Sequence, residues 1–137
     1  MTIVERVCLT GLPLDQLVVI GSGVLDALEL RPAVDIDMVV AEELFETLSQ
    51  SGDYRESIIH GERVLEKDDQ EIWLSWGSEG VANFQALSQG GVTIGGVRFA
   101  HPDFVLQWKR TMNRHKDQSD IQLLEKYLQQ DESVADL

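Results

Sequence analysis

The chain has 137 residues, 43% of them hydrophobic and 26% charged, which is the balance of one globular domain over residues 1–137 and not of a disordered tail. Eleven lysines and arginines stand against 24 acids, a net charge of −13, which excludes bulk nucleic-acid binding through a general cationic field. The single cysteine, Cys8, excludes an internal disulfide and a thiolate zinc site, and no apolar run approaches the roughly 20 residues of a membrane helix. Glu5 stands where a signal peptide would be apolar, so the expected compartment is a reducing cytoplasm.

In chain order, residues 3–9 form a short helix or strand that Gly11-Leu12-Pro13 breaks. Residues 17–20, Leu-Val-Val-Ile, are β-branched and continuous, and read as a buried strand ending at Gly21. A helix is expected over 22–30, closed by Pro32, then a second strand over 34–40 and a helix over 42–49, closed by Gly52. Residues 57–66 read as extended, with a turn at His60-Gly61. Residues 67–70 are a polar turn, and the alternating 71–76 form a strand paired with the preceding one. A helix is expected over 81–87. Gly90-Gly91 and Gly95-Gly96 bracket a hairpin of residues 92–94 and 97–99. Pro102 sits at a helix start, where its missing N–H costs nothing, and that helix runs to 113. A last helix over 117–130 carries Ile121, Leu124 and Leu128 on one face. The fold class is therefore α/β or α+β: a mixed sheet flanked by helices, with helices at the C-terminal end.

The block that carries chemistry is Gly21-Ser22-Gly23 followed by Asp35-Ile36-Asp37. In a strand, Asp35 and Asp37 project from one face, and Val34, Ile36 and Met38 from the other, apolar one. Two acids so placed repel unless a divalent cation neutralises them, and Mg²⁺ suits such a pair because it takes few protein oxygens. Two such ions can bind the attacking and leaving oxygens of a phosphoryl displacement. Glycines between strand and helix let a phosphate approach the free N–H groups of the helix start, where Ser22 can cap the helix or donate to a phosphate oxygen. A dinucleotide fold is disfavoured, because Asp26 replaces the third glycine of its fingerprint.

Ile20-Gly21-Ser22, twelve intervening residues and Asp35-Ile36-Asp37-Met38 resemble the signature of the DNA polymerase beta-like nucleotidyltransferase superfamily. Leu30-Arg31-Pro32-Ala33-Val34-Asp35-Ile36-Asp37 and the tail from Lys109 through Arg114-His115-Lys116-Asp117 to Asp120-Ile121 are similar to runs in its small prokaryotic members, including the abortive-infection type. The resemblance implies a nucleoside triphosphate substrate, two Mg²⁺ ions and a third carboxylate on a later strand. Glu71 is the best-placed candidate, although family members usually carry Asp there; Glu62 and Glu66 are rivals. It makes Asp35, Asp37 and Glu71 the catalytic and metal-binding residues, and Gly21 and Ser22 the triphosphate site. The acceptor, whether small molecule, protein or RNA, attacks the α-phosphorus and pyrophosphate leaves.

Arg98, Lys109, Arg110, Arg114 and Lys116 place five of the eleven basic residues in 19 positions, with only Asp103 opposing them. They form either a solvated helix face or a local site for a small polyanion. Within this group Lys109 and Arg114 are nucleotide-binding candidates, or partners of Asp117 and Asp120. Trp73, Trp76 and Trp108 read as core or rim aromatics, one of them able to stack on a base. His60, His101 and His115 show no ligand spacing. Two other functions compete with the enzyme: a nucleotidyltransferase fold with a degraded site that holds a partner, and a structural domain whose acids only solubilise it. A chain this short leaves little room for an acceptor domain, so a homodimer or partner protein is expected to complete the cleft, and no membrane is involved.

Overall fold

The computed structural model describes residues 1–76 and 82–135, the last five as backbone only. The first segment is a helix, α1 (Ile3–Leu9), capped by the Thr2 hydroxyl, which accepts from the Glu5 N–H. After a short 3₁₀ turn come β1 (Leu17–Ile20) and α2 (Ser22–Ala27). All four residues of β1 are buried, as their continuous apolar run requires of a central strand. Helix α2 stops three residues before the expected end. Glu29 adopts φ +61°, and the N–H groups of Glu29 and Leu30 bond back to Asp26 and Leu25, closing the helix ahead of Pro32.

Strand β2 covers Ile36–Val40, not 34–40. Val34 is 80% exposed and so does not belong to the apolar face assigned to it, and Asp35 precedes the strand. Helix α3 (Glu42–Ser51) ends at Gly52 in the left-handed region. The extended stretch that follows is a hairpin, β3 (Arg55–Ile59) and β4 (Glu62–Lys67), turning at His60-Gly61 with both φ values positive. Strand β5 (Gln70–Trp73) ends earlier than expected. The chain leaves the main sheet at Leu74, and β6 (Ser75–Trp76) pairs with β7 (Ala82–Asn83) in a separate two-stranded ribbon. The helix expected over 81–87 is α4 (Phe84–Gln89). Val81 lies outside the described residues, and Asn83 is the cap, its side chain accepting from the Ala86 N–H.

The hairpin β8 (Val92–Ile94) and β9 (Val97–Phe99) leads into α5 (Pro102–Met112), with Pro102 at the first helical position. Asn113 in the left-handed region ends α5. A 3₁₀ turn takes Asp117, and α6 runs over Gln118–Ala135. The main sheet is mixed, with order β3-β4-β5-β2-β1-β9-β8. Strand β2 runs antiparallel to β1 and parallel to β5, while β1 and β9 are parallel. Helix α2 lies directly on β1 because residue 23 is glycine: a Cβ there would stand 2.5 Å from a Val19 methyl. The result is the mixed sheet with flanking and C-terminal helices that the patterning implies. Among the described residues, no helix is long and apolar enough to cross a membrane.

Candidate active site

Strand pairing assembles the acids. Ile20 stands opposite Asp37, Asp37 opposite Glu71, Glu71 opposite Glu66, and Glu66 opposite Arg55, in one row across four inter-strand ladders. Directly paired residues share a sheet face, so Asp37 and Glu71 are neighbours on β2 and β5. Of the rivals, Glu66 is engaged by Arg55 and by the Ser57 hydroxyl, which hold its carboxyl below the usual range, Arg55 first. Glu62 accepts from Ser75 at the other end of β4. Asp35, exposed and two residues before Asp37, adds its charge to the same place.

Asp37 feels all of this. Burial, the hydrogen bond it shares with Glu71, and the charges of Glu71 and Asp35 push its carboxyl up to about 8. The Trp73 indole N–H partly offsets the rise. Asp37 Oδ1 and Trp73 Nε1 are both buried, and neither has a hydrogen-bond partner among the described residues. A buried carboxylate oxygen that no donor among the described residues satisfies, beside a second carboxylate, fits a hard divalent cation. Among the described residues no three acid, imidazole or thiol groups converge into a ready-made cage. Mg²⁺ takes few protein oxygens and draws part of its shell from phosphate and water.

Gly21 closes the site from the β1 side. Its φ of +63° and ψ of −137° belong to a region that only glycine enters readily, and an added Cβ would lie 3.3 Å from Asp37 Oδ2. Ser22 begins α2 immediately after it and is half-buried. Gly21, Asp37 and Glu71 therefore border one place, with Ser22 next to Gly21 along the chain and Asp35 near enough for its charge to act on Asp37.

Lys109 and Arg114 do not join them as free cations. Lys109 is 5% exposed, its Nζ 3.1 Å from Asp120 and 3.5 Å from Asp117. Arg114 forks onto Asp117 at 2.7 and 2.9 Å. Of the two readings open for these cations, the structure shows the pairing with Asp117 and Asp120, in which Lys109 is buried and Arg114 half-exposed. Arg31 completes the group with a forked pair to Asp120 at 2.5 and 2.7 Å. The run before Asp35 is thereby joined to α6, and both similar stretches of sequence meet in one ion network. Composition alone gives no sign of Arg31's role; its place in the Leu30–Asp37 run is the signal. The three tryptophans connect this network to the acids. Trp73 meets Trp76 edge-on with centroids 5.0 Å apart, Trp76 meets Trp108 at 5.0 Å, and the Arg114 guanidinium lies 5.0 Å over Trp108.

No protein-family model matches the chain, and no curated protein does. Among solved structures it is similar to the crystal structure of ANT(2")-Ia in complex with adenylyl-2"-tobramycin, with a TM-score of 0.56 and 18% identity. The match covers 93% of this chain and 86% of the other. The fold is nucleotidyltransferase-like. At this identity the likeness concerns the fold alone.

Proposed function

We propose that the protein is a metal-dependent nucleotidyltransferase that moves a nucleoside monophosphate from a nucleoside triphosphate to an acceptor. The observation that carries this reading is the buried Oδ1 of Asp37, without a hydrogen-bond partner among the described residues, on a side chain set beside Glu71 and next to the Cβ-free face of Gly21. The acids Asp35, Asp37 and Glu71 would hold Mg²⁺, which when bound supplies charge neutralisation at the phosphates. The chain's own part is binding and orientation. Backbone N–H groups at Gly21 and Ser22, with the Ser22 hydroxyl, donate to phosphate oxygens at the start of α2. The glycine keeps side-chain bulk away from the phosphate, and catalysis consists of holding the acceptor hydroxyl in line with the α-phosphorus. The oxygen–phosphorus bond to the acceptor forms as the bond to pyrophosphate breaks. Lys109 and Arg114 enter this reading by holding α5 and α6 in place through Asp117 and Asp120. An arginine face stacked on Trp108 is left to contact the nucleotide.

The fold's neighbour was crystallised with an adenylylated small molecule, which supports a small hydroxyl compound as acceptor here. The test is incubation with Mg²⁺ and each of the four labelled nucleoside triphosphates, with tobramycin and cell extract as acceptor sources. Pyrophosphate release with label transfer, abolished in Asp37→Asn, is expected. Nucleotide binding without pyrophosphate release in any mixture would make the protein a binding module of the same fold.

A further inference from the structure

Asp35 stands outside every strand, yet the segment that delivers it is tightly fixed. Four backbone groups flanking it are tied to other elements. The Ala33 N–H donates to Asp26 Oδ2 at 2.8 Å, and the Ile36 N–H donates to the Asp69 carbonyl at 2.8 Å. The carbonyls of Ala33 and Val34 both accept from one side chain, Arg6 of α1, at 2.5 and 2.6 Å. The same guanidinium pairs with the Asp69 carboxylate at 2.8 Å.

The placement is specific. Asp69 lies in the turn two residues before Glu71, just as the Ala33–Val34 carbonyls lie immediately before Asp35. Arg6 therefore fastens the leading ends of both acid-bearing strands, β2 and β5, at the end of the sheet where Asp37 and Glu71 stand in register. A planar guanidinium can reach two successive carbonyls and a carboxylate at once, whereas an ammonium on a flexible stem reaches them one at a time. The Arg6 side chain is 18% exposed while Val34 and Asp69 are exposed, so the bond to the Ala33 carbonyl is the best shielded of the three.

Resting on the proposed metal-binding role of the acids, we propose that Arg6 is a positioning residue that sets where Asp35 stands relative to Asp37 and Glu71. It touches no reacting group; its effect passes through the backbone of residues 33–36 and the turn at Asp69. Groups of this kind typically change metal affinity about 10- to 100-fold.

The experiment measures Mn²⁺ binding by electron paramagnetic resonance, with ATP present, for the parent, Arg6→Gln, Arg6→Lys and Asp69→Asn, with a thermal melt of each. Mn²⁺ affinity is expected to fall about tenfold or more in Arg6→Gln and less in Arg6→Lys, which recovers one carbonyl contact. Asp69→Asn is expected to fall less again, since the Asp69 carbonyl still holds Ile36. If Arg6→Gln does not fold, the ordering of the other two against the parent decides. Variants that melt lower but bind Mn²⁺ like the parent would make Arg6 merely structural and overturn the inference alone. A parent that binds no Mn²⁺ would remove the metal reading itself, and the inference with it.

Discussion

Asp37 is a carboxyl group whose surroundings oppose its charge. Its proton affinity is raised to about 8 by burial and by Glu71 and Asp35, against an unfolded value near 4. Below about pH 4 the group is protonated in both states and adds no pH dependence. Between about 4 and 8 the folded state holds a proton that the unfolded state has lost, so rising pH removes stability, by at most about 1.4 kcal/mol per unit. Above about 8 both states are ionised and the loss is complete. Urea unfolding of metal-free protein in EDTA should therefore show parent stability falling from about pH 5 to about pH 8 relative to Asp37→Asn, which has no such proton to lose. Parallel curves for the two proteins would mean that Asp37 is not held in this way.

At the scale of elements, the ion network of Arg31, Lys109, Arg114, Asp117 and Asp120 binds α5 to α6 and to the segment before β2. Burial would raise both carboxyl groups, but hydrogen bonds from Arg114 to Asp117 and from Arg31 and Lys109 to Asp120 hold them below the usual range. Their stabilisation is thus present above the unfolded carboxylate range and lost as pH falls through the lower folded values. Lys109→Met removes a buried cation that two acids share. Each acid keeps one arginine, so the expected loss is about 3 kcal/mol by urea unfolding, the lower end for a broken buried pair. A loss under about 1 kcal/mol, the range of exposed pairs, would contradict the burial of Lys109. This network also shows where the sequence was legible. Lys109 and Arg114 near Asp117 and Asp120 could be seen at short spacing, but which reading applied depended on burial, which spacing does not contain. Strands β1 and β2, the two hairpin turns and Pro102 were legible because apolar runs, glycine pairs and a proline state local geometry directly. The retreat of β2 from residue 34 to 36 was not, since it depends on Arg6, 27 positions away and without any motif. Nor was the break at Leu74, where an alternating stretch that looks continuous divides between two sheets. Glu71 could be preferred over Glu66 only weakly by spacing; the parallel register of β2 and β5, a long-range property, is what sets it beside Asp37.

For the whole molecule the governing quantity is charge. Among the described residues seven of the eleven cations, Arg6, Arg31, Arg55, Arg63, Lys109, Arg110 and Arg114, are paired with acids, and the net charge is still −13. Self-repulsion of this size opposes the compact state, and any added salt relieves it by screening, over a Debye length of about 8 Å at physiological ionic strength. A rise in melting temperature with MgCl₂ alone would therefore say nothing about a site. The two effects separate at matched ionic strength. Replacing NaCl by MgCl₂ and ATP, with NaCl adjusted to compensate, leaves general screening nearly constant while offering a specific ligand. Asp37→Asn differs from the parent by at most one formal charge in 13, so both should gain alike from NaCl. Only the parent should gain further from Mg²⁺ with ATP, by about 2.7 kcal/mol when the ligand stands a hundredfold above its dissociation constant. That gain is several degrees in a chain of this length. Equal gains in the two proteins would reduce the acids to contributors to the general field, leaving the fold without the metal site proposed for it.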